Sequence, residues 1–212
     1  MSPARRTSET TAELRASLVA HARRIVARDG ASALTMRALA AEAGCAVGLP
    51  YTVFADRREL VAELIHTEFT QMQSVIDELA VRAGTGTVGG NLAWFAELLL
   101  ASPAVAVAQE VFADDQLMKA VTTRIHETGA GPATFETILS GYLAAEKRAG
   151  RIDQDVDEDA FGFLLAGAIH NLVVSGEGYP RPTNHRLRQV LTAVASRLAP
   201  TRPPEDSNAT TP

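Results

Sequence analysis

Residues 34–54 read LTMRALAAEAGCAVGLPYTVF, and this stretch decides the fold. Thr35 is a suitable N-cap for a short helix at 36–43, and Gly44, which accepts a left-handed conformation, is suited to end that helix. After a turn of three residues, a second helix is predicted at about 47–53. Two short helices joined by such a turn form the helix-turn-helix geometry, in which the second helix enters the major groove of DNA.

Longer helices are predicted on both sides of this stretch. Apolar residues at helical spacing predict a helix at 11–29 that stops at Gly30, and a capping box at Asp56–Glu59 opens a helix at 57–81. Further helices are predicted at 88–101, 103–112, 115–127, 132–149, 158–175 and 184–199, and the sequence has no alternating strand pattern. The expected fold class is all-α.

The predicted organisation has two parts. We call residues 11–56 the head, which contains the first three helices, and residues 57–199 the body, a helical bundle. Residues 1–10 are polar and residues 200–212 are rich in Pro and Thr, so both ends are expected to be disordered.

Charge is distributed unevenly along the chain. Residues 1–60 carry nine Arg against six acids, whereas the remaining 152 residues carry eleven basic residues against nineteen acids, for a net charge of −5. A basic head on an acidic body is expected of a DNA-binding module joined to another domain, although chance variation in surface charge gives the same pattern. The single cysteine, Cys45, excludes an internal disulfide. The absence of a long apolar run or signal sequence predicts a cytoplasmic protein with no membrane partner.

Residues 14–65 resemble the DNA-binding domain of the TetR-type repressors. The shared marks stand in order as Gly30, Leu34-Thr35-Met36, Ala38-Leu39-Ala40, Ala43-Gly44-Cys45, Gly48, Tyr51, Phe54, Arg57 and Leu60. The resemblance implies that Thr35 caps a helix and meets a phosphate, that Tyr51 and Arg57 contact phosphates, and that Phe54 belongs to the core. The positions that would approach base edges are Ala46, Val47, Gly48 and Leu49.

Three departures from the family pattern affect the recognition helix. Ala46 stands where a Ser or Thr cap is usual, which costs about 1 kcal/mol, and Pro50 disfavours helical geometry at Leu49, so the helix is expected to begin late and span barely two turns. Val47 and Leu49 have no hydrogen-bond donor, so base recognition would rest on thymine methyls, Arg37 or Thr52. Packing remains an alternative for Tyr51, as a solvated charge does for Arg57.

The helix predicted at 158–175 is apolar nearly all round, so it must be covered on every side. Either it lies inside a monomeric bundle or a second subunit covers one side. In the resembling family, this helix and the last one form a four-helix interface between two subunits. The candidate homodimer residues are Phe163, Gly167, His170, Val174, Leu187, Leu191 and Val194.

Large aromatic and polar side chains on the middle helices suit a cavity for a small-molecule effector. The candidates, each of which is also compatible with ordinary core packing, are Trp94, Phe95, Phe112, His126, Phe135, Tyr142 and His170. The alternating acids from Asp153 to Asp159 lack the glycine and the final glutamate of a calcium loop. No metal or cofactor is predicted.

Together these features predict a regulator that binds double-stranded DNA and is not an enzyme. It is expected to be a repressor that holds a palindromic operator as a dimer until a small apolar or aromatic effector releases it. Two alternatives remain, an all-helical enzyme and a protein-interaction bundle without DNA binding.

Overall fold

The computed structural model describes residues 3–128, 133–175, 179 and 182–200. These ranges contain no strand, and the predicted all-α class is confirmed. From the fourth helix onward, each predicted bound lies within one residue of the observed one. The helices are α1 (Pro3–Asp29), α2 (Met36–Glu42), α3 (Leu49–Val53), α4 (Arg57–Arg82), α5 (Val88–Leu100), α6 (Pro103–Ala113), α7 (Asp115–Thr128), α8 (Ala133–Arg148), α9 (Glu158–Val174) and α10 (Asn184–Leu198).

The predicted signals for the ends of helices act as expected. Gly30 and Gly44 have φ of +85° and +65°, the left-handed region where a side chain would be strained. The carboxylate of Asp56 accepts a hydrogen bond from the Glu59 amide at 3.0 Å. The Glu59 carboxylate in turn accepts a hydrogen bond from the amide of Ala55 at 2.8 Å. In a standard capping box it would accept from the amide of the capping residue, which here is Asp56. The capping box is therefore present in a slightly shifted form.

Three expectations about the N-terminal region were wrong. Helix α1 begins at Pro3, so residues 3–10 are helical rather than disordered, because a polar composition does not itself oppose a helix that has proline only in its first turn. Residues 31–33 form an unpredicted 3₁₀ turn. Six residues rather than three separate α2 from α3, because α2 ends one residue earlier than predicted and α3 begins two residues later. Residues 1–2 and 201–212, where disorder was also predicted, lie outside the described residues.

Two hydrophobic cores lie along the molecule. The first combines side chains of α1 and α2 with Phe54, the N-terminal half of α4, and α6 and α7. The second combines the C-terminal half of α4 with α5, α8, α9 and α10. The boundary between head and body after residue 56 stays a prediction, but the first core contains side chains from both parts, so the two parts pack as one unit there.

A buried carboxylate organises the second core. Glu146 is fully buried, accepts hydrogen bonds from the Tyr142 hydroxyl at 2.6 Å and the Gly84 amide at 3.1 Å, and pairs with Arg151 at 2.9 Å. Burial, together with the hydrogen bond to this carboxylate, raises the pKa of Tyr142. The cluster fastens the loop between α4 and α5 to α8 and to the segment that follows it.

Helices of the body also approach one another closely at glycines. A Cβ built on Gly162 of α9 would lie 2.9 Å from the Ser140 amide nitrogen of α8, and one on Gly89 would lie 2.7 Å from the Thr192 Cα of α10. Side chains larger than glycine would push these helices apart.

Within the described ranges, no single helix is both long and apolar enough to cross a membrane. The pair α5 and α6, bent by 55° at its junction, reaches that length and composition together. Much of the apolar surface of α5 is buried in the second core.

Candidate functional site

The helix-turn-helix exposes one face that combines polar and apolar side chains. Thr35 caps α2 as predicted, with its hydroxyl accepting a hydrogen bond from the Ala38 amide at 3.0 Å. Val47, in the turn before α3, is 51% exposed and Tyr51, on α3, is 55% exposed, which is high for large hydrophobic side chains. The exposed positions predicted to face DNA are Thr35, Arg37, Ala46, Val47, Gly48, Tyr51 and Thr52, whereas Leu49 is half-buried.

The recognition helix α3 is only five residues long and begins at Leu49, later than the predicted start at 47, in the direction that Pro50 favours. Gly48 precedes it without a side-chain cap. Pro50 is buried, and the Thr52 hydroxyl donates to the Leu49 carbonyl at 2.7 Å. The oxygen of Thr52 can still accept a hydrogen bond from a base, but its proton is engaged.

Arg15, which the sequence analysis did not single out, contacts the C-terminal end of α3. The Arg15 guanidinium of α1 lies 4.5 Å from the centre of the buried Phe54 ring and donates to the Val53 carbonyl at 3.0 Å. It also pairs with Glu59 at 2.7 Å and Glu63 at 3.0 Å, so one side chain ties α1 to the end of α3 and to α4. The only signal was an arginine beside an apolar stripe, which normally indicates a solvated charge.

Most of the positive charge of the head is neutralised within the chain. Arg24 and Arg28 both pair with Glu42, at 3.3 and 3.2 Å. Arg37 differs, because it is exposed and forms no ion pair with any acid in the described ranges. The basic character read from the sequence therefore overstates the charge that a polyanion would meet.

Arg57 has different partners from those predicted. Its guanidinium donates to the Leu34 carbonyl at 2.5 Å and the Ala31 carbonyl at 3.0 Å, and forms a two-point pair with Glu110 of α6. The side chain is half-buried between head and body. Whether it contacts phosphate stays a prediction, but in this structure it joins α4 to α6 and to the entry of α2.

A second link between head and body passes through Glu63 of α4. Arg15 of α1 and Arg124 of α7 both pair with this carboxylate, at 3.0 and 3.3 Å. Burial raises the pKa of Glu63, but the hydrogen bonds from the two arginines outweigh it, so the pKa lies below its usual value.

A carboxylate with a lowered pKa stabilises the fold above its unfolded pKa of about 4.3, and this contribution disappears as the pH falls through the lower, folded value. We therefore expect Glu63→Gln to lower the urea midpoint at pH 7, and the difference from wild type to shrink below about pH 4. Urea melts of both proteins at several pH values between 7 and 3 measure this. A difference that stays constant over that range would contradict it.

Residues 18–64 match the family model described as bacterial regulatory proteins, tetR family. The helix-turn-helix segment of the head is therefore similar to that of the TetR-family regulators. None of the curated proteins matches the chain in sequence. Solved structures share the fold over most of the length. A TetR-family transcriptional regulator from Pectobacterium atrosepticum is 19% identical, with TM-score 0.60 over 90% of this chain and 94% of that one.

Two further regulators have the same fold. The TetR regulatory protein from Rhodobacter sphaeroides is 17% identical, with TM-score 0.58 over 86% of this chain and 97% of its own. FadR from Bacillus subtilis, determined with stearoyl-CoA, is 18% identical, with TM-score 0.56 over 86% of this chain and 96% of its own. The chain thus shares the fold of these regulators over most of its length, and its residues 18–64 match the tetR family model.

The predicted effector residues lie in several separate places in the structure. Phe135 lies between Phe95 and Phe69, with ring centroids 6.3 and 6.0 Å apart, and Phe69 was missed because it reads as part of the α4 stripe. Trp94 stacks on Arg82 at 4.0 Å. The other predicted residues lie elsewhere: Tyr142 lies at the Glu146 cluster, and the exposed Phe112 of α6 and His170 of α9 form a T-shaped ring contact. The side chain of His126 lies outside the described part of the chain.

A groove of about 770 Å³ also lies between α1 and α4, beside the corner that joins α5 to α6. Arg15, Arg23, Thr67 and Gln71 line it together with alanines of α1. The sequence reading did not anticipate this concavity, because it depends on how two distant helices cross.

The predicted dimer residues fall into two groups. On α9, Phe163 is 62% exposed, Gly167 and His170 are exposed, and Val174 is half-buried, so this helix leaves one side uncovered. On α10, Leu187 and Leu191 are buried in the second core, and Val194 is half-buried against it. Leu187 and Leu191 therefore pack within their own chain, since the apolar stripe of α10 faces α5. The exposed side of α10 presents Val190.

Proposed function

We propose that the chain is a repressor that binds a palindromic operator as a homodimer and is released from DNA by a small apolar or aromatic effector. The single observation that carries this proposal is the pairing of an exposed helix-turn-helix face with an uncovered apolar face on α9. Two-fold symmetry would present two recognition helices to successive major grooves, about one helical turn apart. The expected location is the cytoplasm.

Base recognition is proposed to rest on apolar contacts and DNA shape. The exposed side chains of Val47 and Tyr51 suit thymine methyls and sugar edges, and Thr52 is the polar group available to a base. Arg37, which is exposed and has no ion-pair partner among the described residues, is proposed to contact a phosphate. The hydroxyl of Thr35 and the backbone amides at the start of α2 are proposed to contact a phosphate.

The test of DNA binding is selection of duplexes from the genome of origin, followed by anisotropy titration of the recovered site. We expect the recovered site to be palindromic, and we expect one dimer to bind each duplex. A chain that retains no duplex at low salt would exclude the regulator and favour a protein-interaction bundle.

The effector is proposed to pack against Phe135 and its neighbours Phe69 and Phe95. Their rings come from α4, α5 and α8, and a flat or branched apolar molecule suits such a cluster. The stearoyl-CoA in the FadR structure supports an apolar ligand for this fold. Trp94 is the only tryptophan, so its fluorescence reports binding near α5. Phe135→Ala should weaken the binding of an effector detected by Trp94 fluorescence, whereas Phe112→Ala should leave that binding unchanged.

Arg37→Ala is expected to make operator binding less sensitive to salt. Each phosphate contact contributes about 0.9 to the slope of log K against log salt, so a dimer that loses two contacts should have a slope smaller by about 2. The matched control is Arg28→Ala, because Arg28 is exposed but already paired with Asp29 and Glu42. An unchanged slope in Arg37→Ala would show that this residue does not contact phosphate.

A further inference from the structure

The contacts of Arg57 join three elements that are distant in the sequence. Arg57 is the first residue of α4, and it reaches carbonyls at Ala31 and Leu34 as well as both carboxylate oxygens of Glu110 on α6. An arginine has five N–H donors, and these contacts occupy four of them. One N–H of Nη1 remains for another acceptor, so a phosphate could be held by more than a single hydrogen bond only by displacing existing partners.

The two carbonyls lie at the entry to the helix-turn-helix. Ala31 opens the 3₁₀ turn, and Leu34 is fully buried immediately before Thr35, the cap of α2. Because the guanidinium holds both carbonyls, the start of α2 is fixed to α4 and, through Glu110, to α6. Arg58 adds a looser link from the same end of α4 to Asp114, at 3.7 Å.

We infer that Glu110 is a positioning residue for DNA binding, which holds Arg57 so that α6 and the entry of α2 keep a fixed relative orientation. This inference rests on the proposed function. A dimer that binds a palindrome must hold its two α3 helices at one fixed separation. If the start of α2 is no longer fixed to α4 and α6, the helix-turn-helix adopts several orientations relative to the body. Specific binding, which needs both α3 helices in register, then suffers more than binding to arbitrary duplex.

The experiment compares Glu110→Gln, Arg57→Gln and the double variant in the full-length chain. Each is titrated with the selected operator and with a scrambled duplex over a range of salt. The matched control is Glu97→Gln, which breaks a two-point ion pair between Glu97 of α5 and Arg188 of α10, away from the head. Circular dichroism and light scattering establish that every variant is folded and has the wild-type oligomeric state.

We expect Glu110→Gln to weaken operator binding about five- to twentyfold and scrambled-duplex binding less than twofold, with the salt slope unchanged. The double variant should be no weaker than Arg57→Gln, because both substitutions break the same contact. The control should stay within twofold of wild type.

Three results would overturn the inference. A Glu110→Gln protein that matches Glu97→Gln would show that the ion pair is incidental. If Glu110→Gln binds more tightly and Arg57→Gln lowers the salt slope by about 2, then Arg57 is a phosphate contact that Glu110 restrains. If the wild type binds no duplex, the proposed function is refuted independently of this inference. Amide exchange at residues 35–40 then tests whether the Glu110–Arg57 pair holds the start of α2. Unchanged exchange in Glu110→Gln would then refute it.

Discussion

Gly167→Phe is expected to convert a dimer into a monomer and to reduce operator affinity by at least about a hundredfold. Within the chain a Cβ at Gly167 meets no atom within 4 Å, so the bulky side chain does not disturb the fold of the subunit. On a surface that includes Phe163 and Leu164, which are 62% and 59% exposed, the same side chain would hold the partner subunit away. Loss of the second head removes a gain in avidity that is typically a hundredfold or more.

Light scattering at micromolar concentration and anisotropy with the operator measure the two effects. Val81→Phe is the matched control, because Val81 is 79% exposed on α4 and the substitution adds a similar aromatic group away from α9. Gly167→Ala adds only a methyl and should keep the dimer. A wild type that is monomeric at these concentrations, or a Gly167→Phe protein that remains dimeric, would refute the proposed interface.

Local signals in the sequence were sufficient to predict the helices from α4 onward. The bounds of α4 to α10 follow from caps such as Asp56, Ser102 and Asp157, each of which accepts an amide hydrogen bond at the predicted helix start. These signals act over four residues, so no knowledge of the fold is needed to read them. The left-handed glycines at 30 and 44 are predictable for the same reason.

The partners of individual side chains were much less predictable. Leu187 and Leu191 have the same apolar spacing whether they face α5 or a second subunit, and only the packing of α10 decides between the two. Arg57 looks like a solvated or phosphate-binding charge because Glu110 lies 53 residues away in the chain. Contacts of this range depend on how helices cross, which helical periodicity does not specify.

The same limit applies to the effector residues. Tyr142 fits a mixed aromatic and polar site by composition, yet its hydroxyl is committed to a carboxylate four residues later on its own helix. An i to i+4 spacing of Tyr and Glu is readable in a sequence, but the burial that makes the pair structural comes from the loop after α4 and from Arg151.

Glu146→Ala is accordingly expected to be among the most destabilising single substitutions in the body. The change removes the acceptor for the Gly84 amide and the Tyr142 hydroxyl and leaves the Arg151 guanidinium, which is only 25% exposed, without its carboxylate. Orphaned buried donors and an uncompensated charge together cost about 3 kcal/mol or more. The comparison is urea unfolding at pH 7 and fixed protein concentration, because unfolding of a dimer depends on concentration.

Tyr142→Phe is the informative partner variant, because it removes one donor and leaves the carboxylate paired with Arg151 and Gly84. We expect it to cost about 1 kcal/mol and to leave effector affinity unchanged, since its hydroxyl is already engaged. Equal losses of stability in the two variants would show that the carboxylate contributes no more than one hydrogen bond. If the Tyr142→Phe protein has normal stability but binds the effector more weakly, Tyr142 belongs to the effector site, as the sequence analysis predicted.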